Sequence, residues 1–224
     1  MNNNNINAMF STTAAVSDPQ EAMILRAIVV SSSAVYQGQM ISSQDRQAAF
    51  QVLRDFKTYN GRIPLCLKWI LDNSTASATT ALPSITIATK LYACEQIQEF
   101  LKHSYSQLPE SERFQVRHAI LTAARNLATA TTTTASDGES RILSNKLASL
   151  LAAIMVRDFP QRWTTCIEDL FGGLWIEGSA NTMGSKMCLE ILKLVAEDCT
   201  DSDFNAKVRK NTSKNEDVTI RNKN

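Results

Sequence analysis

Val156-Arg157-Asp158-Phe159-Pro160-Gln161-Arg162-Trp163, followed by Cys166-Ile167-Glu168-Asp169-Leu170-Phe171, is the stretch on which the fold turns. Leu143, Leu147, Leu150 and Ile154 recur upstream at steps of three and four, with Leu151 and Met155 widening the stripe, so a long helix runs into it. Proline has no amide hydrogen and its ring clashes with the preceding turn, so Pro160 stops that helix. Its fixed φ also suits the first turn of a new helix, which predicts a short helix from about Gln161 to Phe171. Trp163 then serves as a large buried anchor between neighbouring helix pairs, while Arg162 can reach the last carbonyls or an acidic neighbour.

Helical periodicity extends outward from this turn in both directions. Downstream, a Gly-containing break near Gly172–Gly178 precedes a helix from about Met183 to Asp198 carrying Cys188, Ile191, Leu192 and Val195. Upstream, the Ala/Thr tract at Thr129–Gly138 reads as a loop, because threonine is a mediocre helix former. Before it lie two helices: Glu110 to Ala130, with Val116, Ile120, Ala124 and Leu127 inward, and Ser84 to Tyr105, with Ile87, Leu91, Cys94, Ile97 and Leu101 as its stripe. Asp72–Pro83 is a Ser/Thr/Ala-rich loop. A short helix from Pro64 to Leu71 carries Leu67, Trp69 and Ile70, and Asn60-Gly61 before it is a turn signal. The helix from Ser42 or Ser43 to Thr58 buries Ala49, Leu53 and Phe56. The first helix spans Pro19 to Tyr36, capped by Asp18. Gly38 permits a turn between these two.

Eight helices without a strand pattern fit both a compact bundle and an open solenoid. The pairing of helices at roughly forty residues, and stripes that cover more than one face, favour the solenoid. The expected fold is therefore an all-α, HEAT-type helical-repeat solenoid: a right-handed superhelix of antiparallel helix pairs, apparently a fragment. Residues 1–18, polar and Asn/Ser/Thr-rich, are expected to form a disordered tail. Residues 19–199 form the repeat array, and 200–224 a poorly ordered or truncated tail.

Composition narrows the function classes. The chain has 224 residues, 44% hydrophobic and 20% charged, which supports a sizeable core. Its net charge of +1 leaves no excess of cations for bulk counterion release, so nucleic acid could be bound only through a local basic patch. The 7 glycines and 5 prolines are few for a sheet-rich fold. The 5 cysteines form no C-x-x-C pair, and an odd count argues against a closed disulfide framework. Four fall in apolar helical stretches, where a thiol behaves as a small hydrophobe. The asparagine-rich start is not a secretory signal, and no run is long enough to insert in a membrane.

The segment from Arg141 to Ala196 resembles the exportin-1-like domain of the importin-β (karyopherin-β) superfamily. There an aromatic-Pro-x-x-Trp turn precedes a short helix of the form Ile-x-Asp-Leu, and the next helix reads much like Met187-Cys188-Leu189-Glu190-Ile191-Leu192-Lys193-Leu194-Val195-Ala196-Glu197-Asp198. Ser42-Ser43-Gln44-Asp45-Arg46-Gln47-Ala48-Ala49 and the helix from Ile85 to Tyr105 are similar to earlier parts of these receptors. The exportin-5 (HASTY-like) branch is the nearest, and the exportin-1-like domain is placed at about 84–199. The resemblance implies a nuclear transport receptor shuttling between nucleus and cytoplasm. It would bind the GTP form of the small GTPase Ran through inner helices such as Pro64–Leu71 and those after it, contact nuclear pore components, and carry RNA (small structured RNA or tRNA) or protein cargo in the full-length receptor. No Ran-contacting residue can be assigned.

The residues themselves offer no catalytic, metal or cofactor site. With only His103 and His118, the cysteines lack ligand spacing and read as core. Gly172-Gly173 is not followed by Lys-Ser/Thr, so it is no phosphate loop. Glu190, Glu197 and Asp198 read as a solvated face. The densest basic cluster, Lys102, Arg113, Arg117 and Arg125, is a candidate contact surface for RNA or an acidic partner; the plainer reading is an ordinary charged face partnered by Glu110 and Glu112. A HEAT-type scaffold indifferent to Ran is the alternative function, and an enzyme is not expected.

Overall fold

A computed structural model describes residues 18–33, 35–36, 38–72, 85–129, 137–175 and 182–199. The two expected tails, apart from Asp18, most of the loop at 72–83 and most of the Ala/Thr tract lie outside the described residues. The chain is helical: α1 (Asp18–Ser32), α2 (Ser43–Lys57), α3 (Arg62–Leu71), α4 (Ile87–His103), a 3-10 turn at Tyr105–Gln107, α5 (Glu110–Thr129), α6 (Asp137–Asp158), α7 (Cys166–Leu174) and α8 (residues 183–199). The first helix stops short of the expected Tyr36. Strands β1 (Val35–Tyr36) and β2 (Gln39–Met40) pair there as a minimal antiparallel hairpin, turned at Gly38 with φ of 78°, a left-handed value that glycine adopts without strain.

Side-chain oxygens begin several helices. Ser42 accepts from the Asp45 amide at 3.1 Å, Thr86 from Thr89 at 3.3 Å, and Thr182 from Ser185 at 3.2 Å. Each satisfies an amide that the first helical turn leaves without a partner.

The packing is that of a helical-repeat array. α3, α5 and α7 stack in one layer and α1, α4 and α6 in another, while α1–α2, α3–α4 and α5–α6 join as hairpins. Each of these contacts links helices no more than three apart in chain order, the neighbour-only packing of a solenoid. α6 lies between α4 and α5, which is why its apolar stripe is wide: Leu147, Ala148, Leu150, Leu151, Ile154 and Met155 are all buried. In the first half of the array Phe56 stands among Trp69, Tyr92 and Tyr59 at 5.7, 6.3 and 6.4 Å between ring centres. Trp69 donates its indole N–H to the buried Glu21 at 2.8 Å, and Lys68 pairs with the same carboxylate at 2.8 Å, tying α3 to α1.

Cys66, Cys94, Cys166 and Cys188 are buried in these interfaces and Cys199 is exposed. Burial pushes the thiols up, Cys94 and Cys166 to about 12 and Cys188 to about 11, so each remains a neutral packing group.

Two glycines mark close approaches between helices. A Cβ on Gly184 would collide with the backbone carbonyl of Leu174, and one on Gly173 with the Arg125 guanidinium. A side chain can swing aside and a helix terminus cannot. Gly184→Ala is therefore expected to cost about 1–3 kcal/mol and Gly173→Ala clearly less, as read by urea denaturation of each variant.

Candidate functional site

The turn at 159–165 is built around one buried carboxylate. Asp158, the last residue of α6, has no exposed surface. Its backbone carbonyl accepts from the amides of Arg162 at 2.7 Å and Trp163 at 3.0 Å. These bonds close the chain into a turn, so α7 begins at Cys166 and not near Gln161 as the proline alone predicts. The Phe159–Pro160 peptide within the turn is cis.

The Asp158 side chain joins elements far apart in sequence. Oδ2 accepts the Tyr105 hydroxyl at 2.5 Å and an Arg117 N–H at 3.3 Å. The Arg117 guanidinium lies 5.1 Å from the centre of the Trp163 ring and 5.5 Å from that of Phe114, within cation–π range. Trp163, buried as expected, donates its indole N–H to Asp169 Oδ2 at 2.7 Å, and Thr165 donates to the same oxygen at 2.8 Å. Arg125 donates to the Asp169 carbonyl at 2.9 Å. Acid, phenol, guanidinium and indole thus lock the 3-10 turn, α5, α6 and α7 together. Burial, and then the bond to Asp158, push the Tyr105 phenol well above its ordinary range. Asp158 and Arg117 pair as ions, and the Asp169 carboxylate is held by Trp163 and Thr165, an arrangement suited to holding helices together.

The structure corrects the expected basic surface. Arg113 and Arg117 are buried; Arg113 donates to the carbonyls of Leu108 at 2.8 Å and Ser106 at 2.9 Å, with Tyr105 beneath it at 5.9 Å. Arg125 is half-buried against α7, which leaves Lys102 as the exposed member. The arginine that serves the turn is Arg117, whereas Arg162 is exposed. The short helix named for Ran contact is also mostly interior: Ile63, Leu65, Cys66, Leu67, Trp69 and Ile70 of α3 are buried, and Lys68 is its exposed residue. Glu197 and Asp198 are exposed and Glu190 is half-buried, 3.5 Å from Lys193. Among the described residues no group of three or more His, Cys, Asp or Glu could hold a metal ion, and no helix is long and apolar enough to cross a membrane. A groove of about 440 Å³ opens between α1 and α2, lined by Met23, Ile24, Val52, Phe56 and Tyr59 among others. The sequence pattern marks Asp158 only as part of the motif, and Tyr105 only as a helix end.

His118 stands beside this node, its ring 5.9 Å from Phe114. Burial, then the charge of Arg125, lowers its pKa, with Asp169 opposing. The unfolded chain therefore takes up a proton that the folded chain refuses. Stability is expected to be full above the unfolded value of about 6.5 and to fall as pH drops below it toward the folded pKa. The decline should be shallower in His118→Gln, as measured by urea midpoints between pH 7.5 and 5.5.

Comparison with known proteins bears on this same region. A family model described as Exportin 1-like protein matches residues 140–222, which take in most of α6, the Asp158 turn, α7 and α8. The chain is 28% identical over 160 residues to Protein EXPORTIN 1A and 26% identical over 160 residues to Protein EXPORTIN 1B, both of Arabidopsis thaliana. Each alignment covers 71% of this chain and 13% of the relative, so the chain spans a small part of the relatives it matches. Both are exportin 1 proteins, and neither speaks for the exportin-5 branch. No solved structure matches the chain.

Proposed function

We propose, from the match of residues 140–222 to a family model described as Exportin 1-like protein, that this chain is part of a nuclear export receptor that binds Ran in its GTP form and supports export of RNA or protein cargo. The observation that carries the reading is the match of this family to residues 140–222, which include the Asp158–Trp163 turn, set within a stacked helical array. The likeness supports a transport receptor and not an enzyme, acting by non-covalent binding. Stacked helix pairs give a long deformable surface, on which Ran and cargo can bind cooperatively by favouring one curvature. Shuttling between nucleus and cytoplasm, contact with nuclear pore components, and a cargo of small structured RNA of the exportin-5 kind belong to the same proposal.

The test is titration of the purified, helical, monomeric chain with Ran loaded with a non-hydrolysable GTP analogue, with GDP-loaded Ran as control. Binding to the GTP form alone is the expected result. Equal binding to both forms, or none by this chain and none by a version extended with further repeats, would favour a Ran-independent HEAT-type scaffold.

A further inference from the structure

One flank of α2, beside its buried edge, carries charge of one sign around an exposed aromatic ring. α2 packs chiefly on α1 through Ala49, Leu53 and Phe56, and most of its remaining side chains face solvent. Arg46, Phe50, Arg54 and Lys57 are all exposed, and at about 100° per residue they fall within about 80° of one another around the helix axis. Phe50 is 57% exposed. The helix's two carboxylates lie outside this arc: Asp45 is engaged with the capping Ser42 at 2.7 Å, and Asp55 accepts from Gln51 at 2.8 Å. Among the described residues no carboxylate lies within ion-pair distance of Arg46, Arg54 or Lys57.

We propose that this stripe is a docking surface for an acidic segment of a partner protein, in which carboxylates pair with Arg54 and Lys57 and one apolar side chain sits against Phe50. The proposal goes beyond the export-receptor reading and stands whether or not Ran binds. Arginine and aromatic residues are the side chains that carry most of the energy at protein interfaces. The charge count separates this partner from nucleic acid. Nucleic-acid affinity grows with the number of phosphates neutralised, whereas this stripe offers three cations, of which Arg46 also donates to the Ser33 carbonyl, on a chain of net charge +1. A short segment with two or three carboxylates matches it.

The experiment is fluorescence anisotropy of the full chain against a labelled Glu/Asp-rich peptide with one central leucine, with labelled polyuridylate as a parallel arm. Combined Arg54→Glu and Lys57→Glu is expected to weaken peptide binding at least about tenfold, and Phe50→Ala roughly fivefold. Circular dichroism should be unchanged in both. Lys186→Glu, at an exposed lysine of α8, should bind as the parent does. The proposal is overturned by absent peptide binding, by no loss in the α2 variants, by equal loss in Lys186→Glu, or by tighter binding of polyuridylate than of peptide.

Discussion

Asp158→Ala is expected to lower stability by about 3–5 kcal/mol, the usual cost of removing one partner from a buried ion pair. The loss exceeds that of the bonds alone, because Arg117 stays buried and charged with no carboxylate beside it and the Tyr105 hydroxyl loses its acceptor. At about 2–4 °C per kcal/mol for a chain of this size, the melting temperature should fall by roughly 6–20 °C. Asp158→Asn keeps an acceptor for Tyr105 and should cost less. In a stacked array the damage is local. Amide exchange should quicken in α5, α6 and α7 while α1 and α3, joined through Glu21, keep their protection. A shift below about 1 kcal/mol in Asp158→Ala, or uniform loss of protection, would show that this carboxylate is not the clamp of the turn.

Trp163→Ala is expected to cost about 3–5 kcal/mol, as large-to-small changes at buried aromatic positions do. The substitution empties the space between α5 and α7, strips the face that Arg117 covers, and leaves Asp169 Oδ2 with Thr165 as its remaining side-chain donor. Trp163→Phe should recover most of the packing and lose the indole bond, for a net cost of about 1–2 kcal/mol. Both this site and Asp158 act through Arg117, so the two alanine changes together should cost less than their sum by at least about 0.5 kcal/mol. Strict additivity in a double-mutant cycle by urea denaturation would refute the shared node.

The helices and their inward faces are legible in the sequence, because the pattern of apolar residues three and four apart is itself a statement about one side of a helix. Ala49, Leu53 and Phe56 of α2, and Cys94, Ile97 and Leu101 of α4, are buried as their spacing predicts. Ser42 caps α2, one of the two serines expected to do so. The pattern misleads at Arg113 and Arg117. Spacing places them on one face of α5, and charge alone says that such a face is solvated. Their burial depends on acceptors outside the helix: the Ser106 and Leu108 carbonyls for one, and Asp158, 41 residues away, for the other. The start of α7 departs from expectation for a related reason. Pro160 can begin a helix, but the Asp158 carbonyl captures the next amides and delays it to Cys166.

The sequence by itself determined that this protein is built of helices, where Pro160 interrupts them, and that its interior includes the tryptophan of the 159–163 motif. These properties rest on backbone chemistry and short-range periodicity, which neighbours along the chain specify. Only the tertiary structure decided which charges are interior and what they hold. The pairing of Asp158 with Tyr105 and Arg117, and of Glu21 with Lys68 and Trp69, links residues 41 to 53 positions apart. A buried ion pair forms only where packing removes both partners from water together, and one helix's sequence carries no information about the partner that another will supply.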